Sequence, residues 1–371
     1  MVAAALLFFF PCLSLAQQSA DALLGRIIGV FDSTYVAKEK YNSYANVYVH
    51  DSWLKYDFAI GDGKQRLVVS PTSEPKAGVR LRYKMLVLSY AQSVNTLLGR
   101  KRHRNTNLAV NIVANRWGMQ FYQRKVNGDA EIVGSEGLVQ ATARDAGDFS
   151  WDGSILADAR PVTLKGLKYD GFHSRETGAD IFYVFNASRF SYKAAYRSLT
   201  RQVRSAGSVI AGLELCDFKG DLVLTHSPFV DLNAYEAWVS GQAESFTYVP
   251  CVTQEVDFRY RKVSARIGYG YNWVFARNFL FNVTAYPVAT VKWSKFTTYT
   301  LTDFRKRQRL YRGDWSLDFS ALASLQWNNG KVYAGAYGNL STFRYEKDEL
   351  DVSQVHTEFR ICVGKYFNLF K

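Results

Sequence analysis

Asp314-Trp315-Ser316-Leu317-Asp318-Phe319-Ser320-Ala321-Leu322-Ala323-Ser324-Leu325-Gln326-Trp327 is the stretch that decides the fold. Its odd positions, Trp315, Leu317, Phe319, Ala321, Ala323, Leu325 and Trp327, are all apolar. Its even positions, Asp314, Ser316, Asp318, Ser320, Leu322, Ser324 and Gln326, are polar apart from Leu322. Alternation with a period of two describes a strand with one greasy and one wet face. Trp marks both ends of the greasy face. Twelve steps of about 3.3 Å, tilted by about 40°, rise on the order of 30 Å, the aromatic-to-aromatic height of a membrane barrel wall. Strands of soluble sandwiches are usually shorter.

The same pattern recurs elsewhere. Phe279, Phe281, Val283, Ala285, Pro287, Ala289, Val291 and Trp293 oppose Asn282, Thr284, Thr290 and Lys292, with Leu280, Tyr286 and Val288 as exceptions. Val263, Ala265, Ile267, Tyr269, Tyr271, Trp273 and Phe275 oppose Lys262, Ser264, Arg266, Gly268, Gly270 and Asn272. Further two-faced runs cover 208–216 and 355–364. Alternation alone does not separate a sandwich from a barrel. Strand length, terminal aromatics and an export signal favour an all-β, antiparallel transmembrane barrel. Strands are expected near 46–60, 64–70, 77–91, 105–114, 117–126, 177–187, 206–217, 262–275, 279–293, 313–327, 330–345 and 353–369. That makes twelve, and ten also fit. Ala276-Arg277-Asn278 and Asn328-Asn329-Gly330 read as tight turns. Residues 127–176 and 218–261 read as long outer loops, and 294–312 and 346–352 as shorter ones, with both termini on the periplasmic side.

The chain has 371 residues, 48% hydrophobic and 15% aromatic, with 24 Tyr, 25 Phe, 8 Trp and only 7 Pro. No apolar run after the N-terminus is long enough for a spanning helix, which excludes a helical membrane protein. Residues 1–16 read as a signal peptide: an apolar run to Phe10, then Pro11 and Cys12, then Ser14-Leu15-Ala16 with small residues at the −3 and −1 positions. The departure from the usual pattern is the lack of Lys or Arg before the apolar run, and a buried N-terminal strand is the competing reading. Residues 17–371 then form one barrel domain. Three cysteines remain, Cys216, Cys251 and Cys362. They match neither a disulfide framework nor a zinc site, although a Cys216–Cys251 bridge is open to an exported chain. No cofactor or metal is expected.

The net charge of +13 would ordinarily suggest nucleic acid. Export argues against that partner and in favour of lipopolysaccharide phosphates or an anionic solute. Two basic runs, Arg100-Lys101-Arg102-His103-Arg104 and Arg305-Lys306-Arg307-Gln308-Arg309, fall outside the membrane in this topology. They read either as lipopolysaccharide or anion contacts, through paired guanidinium bonds, or as solvated loops. Arg189, Lys193, Arg197, Arg201 and Arg204 are spaced by four, four, four and three, and would share one face of a helix. That insert could fold into the lumen against Glu214, Asp180 or Glu358 and plug it. A basic periplasmic connection without a partner is the alternative. Arg80, Arg82, Lys84, Arg124, Arg266 and Arg360 mix with Glu214, Asp314, Asp318 and Glu358 on inward positions. Their mixed signs favour mutual pairing over an anion-selective lining.

Catalysis is not expected. A lipid hydrolase needs a Ser activated by His with an acid behind it. His173-Ser174 and His226-Ser227 are adjacent pairs, read as lying in loops, and neighbours on a strand would point apart. No GxSxG, HExxH or phosphate-binding glycine motif occurs.

Asn186-Ala187-Ser188-Arg189-Phe190-Ser191-Tyr192-Lys193-Ala194-Ala195-Tyr196, followed by Gln202 and Ser205-Ala206-Gly207-Ser208, resembles the family catalogued as domain of unknown function 4421. Phe31-Asp32-Ser33-Thr34-Tyr35-Val36 and Gly268-Tyr269-Gly270-Tyr271-Asn272-Trp273-Val274-Phe275-Ala276-Arg277-Asn278 match as well. Lys193 stands where the family usually has proline. The resemblance spans nearly the whole mature chain. It implies an exported barrel of Bacteroides-type Gram-negative bacteria with no assigned activity, and it carries over no catalytic or ligand residue. The reading is therefore an outer-membrane barrel with a structural or interaction role, with lipopolysaccharide as the candidate contact. A narrow channel for small anions and a lipid-modifying enzyme are the alternatives.

Overall fold

The two-faced strands of this chain pair edge to edge until the first meets the last. The structure, a computed structural model, describes residues 31–60, 65–99, 105–144, 160–223, 232–248, 255–299, 306–347 and 350–369. The proposed leader lies outside these residues. The wall contains β1 (Ser43–Ile60), β2 (Gln65–Pro71), β3 (Lys76–Tyr83), β4 (Leu86–Ser93), β5 (Thr106–Val113) and β6 (Trp117–Glu136). It continues with β9 (Lys168–Val184), β10 (Ala206–Val223), β12 (Glu255–Ala276), β13 (Phe279–Tyr299), β14 (Lys306–Asn328), β15 (Val332–Lys347) and β16 (Leu350–Phe367). All neighbours run antiparallel, and β1 pairs with β16 from Ser43–Phe367 to Ile60–Leu350, closing the barrel.

One seam differs from the sequence expectation. The segment expected as a single strand over 77–91 is a hairpin, β3 and β4, that turns at Lys84 with φ 52°. No Gly, Asn or Pro marks that turn, so the sequence hides it. β2 and β3 form one broken descending strand: β3 pairs with β1 over Ser43–His50, and β2 pairs with β1 over Tyr56–Ile60. β2 also pairs directly with β6, bypassing β3, β4 and β5. The wall therefore has twelve strands in the half near the tight turns and ten in the other half. The tight turns are where expected, with Asn278 at φ 77° and Gly330 at φ 87°. We call this the turn end and the opposite rim the loop end.

Several strands extend past the membrane belt. β6 runs on to Glu136, β9 starts at Lys168, and β13 and β14 reach Tyr299 and Lys306, so the expected loops are shorter than the sequence suggested. Between the remaining loops, β7 (Val139–Ala143), β8 (Arg160–Pro161) and β11 (Phe246–Tyr248) form a small sheet. A helix at Leu232–Val239 packs Tyr235 and Trp238 on Phe246.

Large apolar side chains cover the outside of the belt: Trp315 is 76% exposed, Leu317 71%, Ile267 57% and Ile361 54%. A continuous apolar band of this kind around a closed barrel is the surface that meets hydrocarbon. Leu280, Tyr286 and Val288, the exceptions to alternation in β13, point inward. Leu280 and Tyr286 are buried, and Tyr286 and Val288 belong to a core inside the barrel. That core is absent from an ordinary water-filled lumen, and a segment of the chain supplies its other half.

Candidate functional site: a charged cavity above a buried plug

Between Val184 and Ala206 the chain re-enters the barrel from the turn end. Asn186 starts the return: its Nδ2 donates to the Gly207 carbonyl at 2.9 Å, and its own carbonyl accepts from the Arg189 and Phe190 amides. A π-helical turn, Lys193–Arg197, follows and stops at Ser198, which is left-handed at φ 53°. Residues 190–200 are buried throughout. Phe190, Tyr192, Ala195, Tyr196 and Leu199 pack against Tyr44, Ile210, Tyr286, Tyr333, Tyr337 and Tyr366 from around the wall.

Polar ties fix the plug on several sides. The Tyr196 hydroxyl bonds Asn282 and lies 2.6 Å from Thr284 Oγ1, both on β13. On β14, Ser324 and Gln326 donate to the Ala195 carbonyl, and Asn328 to that of Thr200. Ser198 Oγ meets Gln326 at 2.9 Å and also bonds Tyr337. From β3, Arg82 Nη1 donates to the Leu199 carbonyl at 3.3 Å. Gln202 is the clamp. Its Oε1 accepts from the Ser191 amide at 2.9 Å and from Asn272 at 3.0 Å, and its Nε2 donates to the Arg189 and Arg204 carbonyls at 2.6 and 2.8 Å.

An N-terminal strap closes the plug from below. Val36 bridges Gln202, the Ala37 amide donates to Arg201, and Thr200 Oγ1 donates to the Ala37 carbonyl, the last two at 2.8 Å. Glu39 receives Lys193 at 2.8 Å and also pairs with Arg82. The three blocks that carry the family resemblance, around Asp32–Val36, Asn186–Tyr196 and Gly268–Asn278, thus meet at one place.

The basic stripe behaves differently from a helical face. Only Lys193 and Arg197 share the π-turn and are buried. Arg189 and Arg204 are exposed and stack over Tyr35 at 5.2 and 6.0 Å, and Arg201 donates to Asn278 at 2.8 Å. The plug forms, but its partners are not the expected carboxylates. Lys193 takes Glu39 and Arg197 takes Gln120 at 2.8 Å, whereas Glu214, Asp180 and Glu358 pair with wall cations. The reason is height: those acids lie above the plug.

Over the plug is a cavity of about 340 Å³, lined by polar side chains from most of the wall. Arg124 pairs with Glu176 at 3.4 Å and Glu358 at 3.7 Å. Lys262 pairs with Glu214 at 3.1 Å, and Arg266 with Asp180 at 2.6 Å. The Tyr122 hydroxyl lies 2.6 Å from Glu214. His50 Nδ1 is 3.7 Å from Glu358, and its Nε2 is 3.1 Å from Asn107. Of the charges expected to face inward, Arg82, Arg124, Arg266, Glu214 and Glu358 pair with groups of opposite sign, whereas Arg80 and Arg360 have no carboxylate within ion-pair distance among the described residues. Asp318 accepts from the Arg344 amide at 3.0 Å and from Ser316 at 2.8 Å. Lys84 is the exception, an exposed turn residue outside the lumen. Sequence reading passed over His50, Lys76, Glu176 and His356 as lining residues. Their inward parity on β1, β3, β9 and β16 was the available signal.

The remaining candidates are scattered. Arg100, Lys101, Arg102, His103, Arg104 and Arg305 lie outside the described residues, and Lys306, Arg307 and Arg309 are on the loop-end extension of β14 rather than in a loop. His173 and Ser174 are on β9, not in a loop; His173 is exposed and Ser174 buried, so they form no dyad. His226, Ser227 and Cys251 lie outside the described residues. Cys216 and Cys362 are buried free thiols. No group of three or more metal-ligating side chains occurs among the described residues.

No curated protein matches the chain. Among solved structures, the outer membrane protease OmpT of Escherichia coli aligns with 88% of this chain and 97% of its own at 8% identity and a TM-score of 0.44. The Pseudomonas putida toluene transporter TodX aligns over 89% and 91% at 7% identity and 0.30. A Pseudomonas aeruginosa FadL homologue aligns over 88% and 90% at 9% identity and 0.30. Likeness at this level carries no functional argument. The family model described as Domain of unknown function (DUF4421) matches residues 30–367, and the chain belongs to that family.

Proposed function

We propose that this protein is a bacterial outer-membrane barrel closed at its periplasmic end, which binds or presents rather than conducts. The single observation that carries the reading is the burial of residues 190–200 across the lumen, tied to β3, β13 and β14 at once. A plug with that many buried hydrogen bonds is part of the folded core, not a loose loop. In this reading residues 1–16 direct export, residues 17–371 form one barrel domain, the turn end faces the periplasm, and the cavity opens toward the loop end. The basic segment Lys306, Arg307 and Arg309 then extends above the lipid belt, at the height of lipopolysaccharide phosphates. His173 and Ser174, adjacent on β9, share no face, so that pair gives the lipid-modifying reading no support.

The test is single-channel recording in planar bilayers with the full chain folded in detergent. The expected record is flat. Steady, reproducible unitary currents from the unaltered protein would overturn the closed reading in favour of a narrow channel.

A further inference from the structure

Pairing of the lumen charges is uneven: Glu74 and Asp318 are held by neutral donors, and a group of arginines at the floor has no ion pair. The wall carboxylates Glu176, Asp180, Glu214 and Glu358 are each engaged by Arg124, Arg266 or Lys262. On the cavity floor, Arg197 of the plug and Arg360 of β16 have no carboxylate within ion-pair distance among the described residues, and Arg80 of β3 has none behind them. The three guanidinium groups lie within electrostatic reach of one another. Arg80 stacks over Tyr48 at 5.4 Å, and Arg360 over Tyr337 at 4.6 Å. Arg80 is 3% exposed and Arg197 9%. The Nε of each of the three, and the hydroxyl of fully buried Tyr44 near Arg80 and Arg197, lack a hydrogen-bond partner.

Clustered cations with restricted access to water repel one another and lose hydration, Arg80 and Arg197 most and half-buried Arg360 least. Stacking on tyrosine offsets part of this and neutralises none of it. The three Nε atoms are donors, the Tyr44 hydroxyl can donate as well, and the side chains carry positive charge, so the group that suits them is an acceptor with negative charge. Guanidinium groups suit tetrahedral oxyanions because each offers a planar pair of donors. A cavity of about 340 Å³ holds a small solute, not an acylated lipid.

We infer that Arg197 and Arg360, backed by Arg80 and the Tyr44 hydroxyl, form a binding site for the phosphate group of a small soluble ligand at the floor of the barrel cavity. The site rests on the closed-cup reading for its access from one side only. Because plug residue Arg197 supplies one donor, the site also links ligand binding to seating of the plug.

The experiment is calorimetric titration of inorganic phosphate into the full chain folded in detergent, with chloride held constant. Saturable binding is expected. Arg197→Gln and Arg360→Gln should each weaken it by about tenfold or more, the usual consequence of removing a charge-assisted donor. Arg360→Lys should weaken it less than Arg360→Gln, and Arg66→Gln, in an exposed pair with Asp57 outside the cavity, should leave it unchanged. Heat-modifiable migration on a gel verifies that each variant is a folded barrel. Absence of saturable binding to the unaltered protein would overturn the inference. So would equal affinity in folded Arg197→Gln and Arg360→Gln. Conductance is recorded on the same preparation, so an open channel that still binds phosphate sinks the closed reading and leaves the site standing.

Discussion

Replacing Gln202 by Leu should unseat the plug while leaving the barrel wall intact. Leu keeps much of the side-chain volume and removes both halves of the amide. Four hydrogen bonds go with it: those from the Ser191 amide and Asn272, and those to the Arg189 and Arg204 carbonyls. The last two carbonyls belong to exposed residues that water can reach. The first two belong to Ser191, 6% exposed, and Asn272, fully buried, so their donors are stranded. Asn272 Nδ2 keeps the Ser191 carbonyl at 3.2 Å, which softens its loss. At about 1–3 kcal/mol for each stranded buried donor, the seated state should lose on the order of 2–5 kcal/mol. That is a rise of about thirtyfold to several thousandfold in the ratio of unseated to seated plug, at roughly 1.4 kcal/mol per factor of ten. The assay pairs single-channel recording with limited proteolysis from the turn end. Gln202→Leu should show bursts of current and cleavage within 185–205 while its gel migration stays that of a folded barrel. A folded Gln202→Leu barrel that is as silent and as protease-resistant as the parent would refute the argument that the plug is held by its clamp.

Three further outcomes follow from other parts of the molecule. Burial pushes the Glu39 carboxyl up, but Lys193 and Arg82 outweigh it and hold the group below its ordinary value of 4.5. A carboxyl lowered in the folded state stabilises it at pH above the unfolded value and loses that contribution as pH falls through the folded value. Channel activity should therefore appear in the unaltered protein only on acidification below the ordinary carboxylate range, and Glu39→Gln should shift that onset to neutral pH; an onset unmoved by Glu39→Gln would count against the tie. Ile267→Arg, on a side chain 57% exposed, should cost about 2–4 kcal/mol in urea unfolding in bilayers, because the face meets hydrocarbon and not water. A cost near zero there would mean a water-facing surface. Finally, a Cβ at Gly270 would sit 2.5 Å from Thr284 Oγ1 and 3.1 Å from the Phe190 ring, so Gly270→Ala should destabilise the plug by about 1–3 kcal/mol, read as faster proteolysis of 185–205.

The wall was legible because its information is local. Trp315 through Trp327 alternate in sequence and, in the structure, their odd positions form the outer face. Asn278 and Gly330 announced their turns by type. Lys84 did not, since lysine carries no turn signal of its own and is held at φ 52° by the paired strands on either side, and the hairpin at 83–86 went unseen. The exceptions to alternation held more information than they seemed to: Leu280 and Tyr286 break the pattern because they face a plug and not water. Of the five residues of the basic stripe only Lys193 and Arg197 are buried in the plug, and their partners are Glu39 and Gln120 rather than Glu214, Asp180 or Glu358. Spacing along the chain carries no height in the barrel, and height decides that Lys193 meets Glu39 and not Glu214.

Residue order alone determined that the chain forms long two-faced strands, which side of each faces lipid, and where most of them turn. Those properties depend on neighbours two positions apart. Only the closed tertiary structure decided that β2 skips the β3–β5 hairpins to reach β6, that residues 185–205 fill the turn end, and that three arginines from distant strands and the plug share one floor with no carboxylate within ion-pair distance among the described residues. Each of these depends on contacts between residues far apart in the chain, such as Pro71 with Ala130, Arg82 with Leu199 and Ser198 with Tyr337. Such contacts exist only once the wall has closed and fixed the register of every strand.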